Sequence, residues 1–244
     1  MKPGQGFQDT INFMERIVES EWLDELAVDD DRAVRSRRDL VRLNCLIGHA
    51  RIMSGLLART RKGGSECHLV ELGAGDGTFA LRWTGRLPPQ TRPARVTLVD
   101  RLPSISEETR QEFAERGCTV NVVQADVFDW LPGGERATVI SANLFLHHFA
   151  ENNLARLLDG IARSSEAFIA CEPRRGSFTL AASRLVRLIG CNDVTRHDAV
   201  VSVRAGFAGT ELSRLWPAGD QWAVSERRAG LFSHAFVASK VDCQ

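Results

Sequence analysis

Val70-Glu71-Leu72-Gly73-Ala74-Gly75-Asp76-Gly77-Thr78-Phe79-Ala80 is the stretch that decides how this chain folds. An apolar strand over 67–72 is predicted to run into a glycine turn, and the turn is predicted to open a helix over 78–83. Glycine permits a tight bend and a close approach of the backbone to a ligand. The first N–H groups of a helix lack partners within it, so they can bind polar or anionic atoms. The stretch therefore predicts a strand–turn–helix site for a nucleotide-like ligand.

The spacing of the glycines distinguishes two classes of nucleotide-binding protein. Thr78 stands where the NAD fingerprint has its third Gly or Ala. Glu71 lies two residues before Gly73, and the resulting pattern Glu-x-Gly-x-Gly-x-Gly resembles motif I of the class I S-adenosylmethionine (SAM) dependent methyltransferases. The resemblance implies SAM as the cofactor and S-adenosylhomocysteine (SAH) as the product. The motif residues that it assigns to the cofactor are Glu71, Gly73, Ala74, Gly75 and Gly77.

Length and composition indicate one α/β domain with a small extension. The 244 residues include 31 basic and 31 acidic side chains, so no global basic field points to nucleic acid or to an anionic membrane. The six cysteines are scattered and favour free thiols in a reducing cytoplasm. The longest uncharged run, 137–150, is too short to span a bilayer. We expect a cytoplasmic protein with a small-molecule substrate and no nucleic-acid or membrane partner; the oligomeric state is not indicated.

Apolar strands alternate with helical segments from residue 67 onward. This alternation predicts a Rossmann-like, doubly wound α/β fold with a mostly parallel, seven-stranded sheet. Further strands are predicted at 95–100, 119–124, from 138 and at 167–171, and helices at 105–116, 151–164 and 178–189. The last two strands, 221–228 and 231–238, are expected to form an antiparallel hairpin. A terminal hairpin of this kind is typical of the class I methyltransferase sheet.

The first 62 residues are predicted to form a helical cap on a cofactor-binding core that covers 63–244. Apolar residues at helical spacing predict a helix over 7–26 and a second helix from about Arg38, with Ser36 as its N-cap. The expected hinge between them is Asp29-Asp30-Asp31-Arg32, and the expected junction with the core is Lys62-Gly63-Gly64. Residues 190–216 break the pattern, and the resemblance implies that they form loops with a substrate-specific insertion.

Acidic residues follow the second and third predicted strands. Asp100 ends the strand 95–100, where a carboxylate can accept hydrogen bonds from both ribose hydroxyls. Enzymes that bind NAD and enzymes that bind SAM both use this device, so Asp100 indicates an adenosine-type ligand without choosing between them. The resemblance assigns Asp126 and Val127 to the adenine. Arg101 and Asn143, at the second and fourth strand ends, complete the expected cofactor contacts.

Methyl transfer from SAM mainly requires that the acceptor be aligned and water excluded. A hydroxyl acceptor must also lose its proton, and a positioned histidine contributes roughly 10²–10⁴-fold to that step. The candidate bases are His148, His147 and His197. The residues expected to bind the substrate are Glu172, Arg196 and Arg204, of which the arginines suit an acidic group. Neither a His-x-x-His pair nor clustered carboxylates mark the sequence, so no metal is predicted.

These features predict a SAM-dependent methyltransferase that acts on a small organic acceptor, on oxygen in the first place, with nitrogen and carbon left open. The sequence most resembles the bacterial small-molecule methyltransferases of secondary metabolism. An NAD(P)-dependent oxidoreductase is the first alternative, and Thr78, the Ala125-Asp126 pair and the terminal hairpin oppose it. A non-catalytic SAM-binding protein and an RNA or protein methyltransferase remain open alternatives.

Overall fold

The computed structural model describes residues 14–27, 29–60 and 67–241. The helices are α1 (Trp22–Glu25), α2 (Asp31–Ile47), α3 (His49–Thr60), α4 (Thr78–Thr84), α5 (Glu107–Glu115), α6 (Val127–Trp130), α7 (Glu151–Ser164), α8 (Ser177–Arg184), α9 (Asp193–Ala205) and α10 (Glu211–Leu215). The strands are β1 (His68–Leu72), β2 (Arg95–Asp100), β3 (Thr119–Gln124), β4 (Ala137–Asn143), β5 (Ser165–Pro173), β6 (Trp222–Ala229) and β7 (Ser233–Lys240).

The seven strands form one sheet in the order β3-β2-β1-β4-β5-β7-β6. The first five in this order are parallel, whereas β7 runs antiparallel to both β5 and β6. The strand order reverses between β1 and β4, which creates a crevice at the carboxyl ends of these strands. The predicted fold class, with its mostly parallel sheet and terminal hairpin, is confirmed.

Apolar helix faces cover both sides of the sheet. Leu154 and Ile161 of α7 pack in one core cluster, and Leu57 of α3 packs with Trp83 of α4 in the other. All five residues of β1 are buried, as a parallel strand between two helical layers requires. Among the described residues, every helix is too short or too polar to cross a membrane.

The expected helix over 7–26 is wrong in its described part. Residues 14–20 have no regular secondary structure, and only the single turn α1 follows. Their polar groups bond to distant segments instead: the Ile17 N–H donates to Arg204 O, and Arg16 Nε donates to Ala205 O. Tertiary contacts thus override the helical periodicity. Residues 7–13, like Lys62-Gly63-Gly64, lie outside the described residues.

The second helix begins earlier and ends earlier than the sequence predicts. The carboxylate of Asp30 accepts from the Arg32 N–H and caps α2, so Asp31 and Arg32 are helical rather than a hinge. Ser36 is buried within α2, where its hydroxyl accepts from Thr195 Oγ1. Gly48 has φ 80° and ends α2, so the helix that the sequence predicts to continue to about residue 62 is two helices, α2 and α3.

The expectation of loops over 190–216 is also wrong. This segment contains α9 and α10, and the side chain of Asn192 caps α9 by accepting from the Thr195 N–H. The buried face of α9 includes the polar residues Thr195 and Asp198, so an apolar period was not apparent in the sequence. The helix packs against α1, α2 and α8, so it joins the N-terminal segment to the core.

Candidate active site

The glycine loop between β1 and α4 is held in a conformation that favours glycine. Gly73, Gly75 and Gly77 have φ values of 67°, 56° and 73°. A Cβ atom on Gly73 would lie 2.4 Å from Cδ2 of Phe145, and one on Gly77 would lie 2.8 Å from Cδ1 of Leu98. A Cβ on Gly75 would meet no atom within 4 Å, so the middle of the loop faces open space. The loop is therefore rigid at its ends and accessible at its centre.

Asp100 connects the glycine loop with the end of β2. Its Oδ2 accepts from the Gly75 N–H at 2.8 Å, and its Oδ1 accepts from the Leu102 N–H at 2.8 Å. The carboxylate is half-buried, and these two backbone donors fix its orientation at the crevice. The structure thus brings Asp100 and the glycine loop together, as the sequence predicts for the two sides of an adenosine site. The neighbouring Arg101 side chain is exposed.

The remaining predicted cofactor residues lie at the ends of β3 and β4. Asp126 accepts from the Phe128 N–H at 2.9 Å and caps α6, while Val127 is buried. Asn143 ends β4, and its buried side chain lies at the ring of His49. Burial lowers the pKa of His49 to about 4, and the contact with Asn143 opposes the shift. The cofactor contact predicted for Asn143 stays a prediction.

Glu71 lies inside the fold rather than at the crevice. It is 3 % exposed, and its Oε2 accepts from Ser141 Oγ and from Trp83 Nε1. Burial raises the pKa of Glu71 to about 7, and the bonds from Ser141 and Trp83 oppose the shift. These contacts join β1, β4 and α4. The cofactor contact predicted for Glu71 stays a prediction, and its present surroundings do not expose it to a ligand.

His147 is enclosed between two carboxylates at the end of β4. Its Nδ1 bonds to Oε2 of Glu172 at 2.8 Å, and its Nε2 faces Oε1 of Glu21 at 3.2 Å. Burial alone would lower the pKa of His147, but the hydrogen bonds to Glu172 and Glu21 raise it to about 9. The imidazole is 2 % exposed. A histidine in this position connects elements and has little access to a substrate.

Glu172 holds the turn that carries both histidines. It is fully buried, and it accepts from the backbone N–H groups of Phe145, Leu146 and His147 as well as from the His147 ring. Burial would raise the pKa of Glu172, but the bond from His147 and these backbone donors lower it. Its observed contacts are therefore with the turn. The substrate contact predicted for it remains untested.

His148 lies at the surface of the same turn. Its Nδ1 donates to Phe145 O at 3.1 Å, and its Nε2 lies 3.6 Å from Oε2 of Glu21 and 3.8 Å from Oδ2 of Asp24. The side chain is 29 % exposed. Of the two adjacent histidines, His148 is thus the one accessible to a substrate.

The other predicted residues belong to α9. His197 stacks on Trp22 with ring centroids 3.9 Å apart, and its Nδ1 bonds to Asp198 at 2.9 Å. Arg204 pairs with Glu19 at 3.0 Å, and Arg196 is exposed. The structure brings His197 to the N-terminal segment but gives neither arginine a place beside the glycine loop.

Sequence reasoning missed the contribution of the N-terminal segment. Glu21 accepts from His147 and from Ser202, and Arg16 donates to the carbonyl oxygens of His147 and Phe149. Glu21 and His147 are 126 positions apart. No local motif marks such a pair, so only the fold reveals it.

Comparisons with known proteins agree with this geometry. Residues 69–166 match the model of the methyltransferase domain family. No curated protein sequence matches the chain. An O-methyltransferase family protein from Burkholderia thailandensis has the same fold, with 18 % identity and a TM-score of 0.56 over 88 % of this chain and 62 % of that one. The plantazolicin methyltransferase BpumL in complex with SAH has 13 % identity and a TM-score of 0.60 over 87 % of this chain and 91 % of that one. The mitomycin 7-O-methyltransferase MmcR has 18 % identity and a TM-score of 0.56 over 90 % of this chain and 60 % of that one.

The fold is that of the class I SAM-dependent methyltransferases, and residues 69–166 match a methyltransferase domain. The methyltransferase-domain match runs from β1 to the beginning of β5 and includes the glycine loop and Asp100. The resemblance expected from the sequence is confirmed by this match and by the shared fold. The chain spans 62 % of the Burkholderia protein and 60 % of MmcR, so it covers less than two thirds of either.

Proposed function

We propose that this protein transfers the methyl group of SAM to an oxygen atom of a small organic molecule. The observation that carries the proposal is the bond between the Gly75 N–H and the Asp100 carboxylate, at the carboxyl ends of β1 and β2. It joins the two sides of an adenosine site within the matched methyltransferase segment.

Two considerations support oxygen as the acceptor. The Burkholderia protein and MmcR are O-methyltransferases by name. In this chain, the residues after β4 are Leu144-Phe145-Leu146-His147-His148, without the Pro-Pro-aromatic motif of enzymes that methylate exocyclic amines of bases. We assign removal of the acceptor proton to His148, the more exposed of the two histidines after β4.

The cellular setting is part of the same proposal. Plantazolicin and mitomycin, named for two of the similar structures, suit a role in bacterial secondary metabolism. A cytoplasmic location is supported by the cysteines, because Cys45, Cys67, Cys118, Cys171 and Cys191 are all free. We further propose the division into a helical cap over 1–62 and a core over 63–244.

The test is a methyl-transfer assay with isotope-labelled SAM and a panel of phenols, aliphatic alcohols, carboxylic acids and amines. Labelled product with an oxygen acceptor is expected, and Asp100→Asn should raise the KM for SAM about tenfold or more, since loss of a charged hydrogen bond costs roughly 1.5–3 kcal/mol. Asp159→Asn, which alters an exposed ion pair on α7, is the matched control and should match the wild type. Products methylated solely on nitrogen, or an unchanged KM in Asp100→Asn, would contradict the proposal.

A further inference from the structure

Four side chains converge between α1 and the end of β4, and we name them the strap cluster: Glu21, Asp24, His147 and His148. One ring nitrogen of each histidine and a carboxylate oxygen of Glu21 lie within 4.8 Å of one another. His147 Nε2 faces Oε1 of Glu21, and His148 Nε2 faces Oε2. Asp24 adds a second carboxylate, 3.8 Å from His148 Nε2. The cluster combines a buried part at Glu21 and His147 with a partly exposed part at His148 and Asp24.

A hydrogen bond at Nδ1 fixes the orientation of each imidazole ring. His147 Nδ1 donates to the buried carboxylate of Glu172, and His148 Nδ1 donates to the carbonyl of Phe145. Histidines that bind metals are held in this way, since the bond at one nitrogen fixes the tautomer and turns the lone pair of the other toward the metal. Here the two fixed rings both direct Nε2 toward Glu21.

The charges around the cluster favour a cation. Glu21, Asp24 and Glu172 supply three carboxylates around two imidazoles, so negative charge is in excess even when His147 carries a proton. The cationic side chains that act on these carboxylates are Arg16, which faces Glu172, and Arg101, which faces Asp24. Neither arginine forms an ion pair with Glu21 in the described part of the chain, and burial leaves that carboxylate poorly solvated.

We propose that the strap cluster binds one divalent first-row transition-metal cation through Nε2 of His147, Nε2 of His148 and the carboxylate of Glu21. Metal–ligand bonds of about 2.0–2.2 Å place neighbouring ligand atoms roughly 3.0–3.5 Å apart. The observed separations from Glu21 are 3.2 Å to His147 and 3.6 Å to His148. Imidazole with carboxylate suits manganese, iron, cobalt or zinc better than magnesium or calcium.

The role of the cation rests on the proposed function. Asp24 and the exposed side of His148 leave room for an oxygen-bearing acceptor at the metal. A bound cation lowers the pKa of a coordinated oxygen and so supplies acceptor activation at neutral pH. His147 and His148 would then act as ligands rather than as the bases that the sequence predicts. With a metal at this site, the expected substrates are hydroxyl compounds whose oxygen atoms can coordinate the metal.

The test measures metal binding without SAM or an acceptor. The full chain is stripped with a chelator, dialysed and titrated with Co²⁺ and Mn²⁺, by calorimetry and by the visible spectrum of Co²⁺. One saturable site per chain is expected, with a Co²⁺ spectrum of imidazole and carboxylate ligands. Glu21→Gln and the more conservative surface change His148→Gln should each weaken binding at least tenfold, with thermal unfolding verifying that both variants are folded.

The matched control is Glu25→Gln, the same change as in Glu21→Gln at an exposed carboxylate of the same α1 turn. Unchanged affinity in this variant, with loss in the other two, supports the site. Absence of a saturable site in the wild type, or equal affinity in His148→Gln and wild type, overturns it. Failure of the methyltransferase proposal would appear separately, as loss of SAH binding with metal binding retained.

Discussion

The position of Glu71 in the glycine motif predicts a carboxyl group at the cofactor crevice, but in the structure this group is buried inside the fold. Side chains alternate between the two faces of a strand, and Glu71 shares a face with Leu69, toward Trp83 and the α4 layer. The sequence places Glu71 correctly in motif I, but it does not reveal which side of the pleat meets the crevice. Asp100 was predictable because it is the last residue of its strand. At that position its carboxylate reaches the glycine loop regardless of the face of the sheet on which the side chain starts.

Glu71 should make the stability of the fold depend on pH. Its pKa is about 7 in the folded protein and 4.5 in a solvated chain, so its contribution is fully present below pH 4.5 and is lost as the pH rises through 7. The shift corresponds to about 3 kcal/mol. Relative to wild type, Glu71→Gln should therefore gain about that much free energy of unfolding between pH 4.5 and pH 8.5.

Urea unfolding at several pH values between 4.5 and 8.5 measures this difference directly. Glu112→Gln, a change in an exposed ion pair of α5, is the control and should follow the wild-type profile closely. Parallel profiles for Glu71→Gln and wild type would show that the buried carboxyl group titrates normally.

The α1 turn is held by α9 rather than by its own helical bonds. The Trp22 and Leu23 N–H groups donate to the two oxygens of Asp198, at 2.9 and 3.0 Å, and Asp198 is 3 % exposed. A four-residue helix is not stable alone. The placement of Glu21 and Asp24 at the crevice therefore depends on this carboxylate.

Asp198→Asn should loosen the α1 turn without unfolding the domain. The amide keeps one acceptor oxygen, so one of the two backbone donors loses its partner at a cost of roughly 1–3 kcal/mol. Hydrogen exchange at Trp22 and Leu23 should accelerate about tenfold, while β1 and β4 stay protected. The control is Asp193→Asn, an exposed residue at the start of the same helix. Exchange at wild-type rates in Asp198→Asn would show that other contacts hold the turn.

The spacing of apolar residues predicted the core strands and helices well, because the apolar residues there are the ones that the fold buries. β2, β3 and α7 have the predicted bounds, and the glycine loop lies where its spacing indicates. The N-terminal segment and residues 190–216 were mispredicted because their structure depends on each other: Ile17 bonds to Arg204, and Ser36 bonds to Thr195. Such contacts join positions more than 150 residues apart, and single-sequence periodicity carries no information about them.

The same division applies to the whole molecule and its function. The cofactor side of the crevice is built from residues close in sequence to a glycine motif, so both the class and the cofactor were predictable. On the other side, α1, the turn after β4 and α9 converge and place Glu21 beside His147 and His148, and we propose the acceptor site there. No local motif marks this convergence in the sequence.

The central claim, a SAM site formed by the glycine loop and Asp100, is tested most directly by calorimetric titration of the purified chain with SAH, with NAD⁺ and NADP⁺ titrated in parallel. We expect one SAH site per chain with micromolar affinity, no heat from either nicotinamide cofactor, and an affinity about tenfold lower in Asp100→Asn. Binding of a nicotinamide cofactor, or absence of SAH binding by folded protein, would contradict the account.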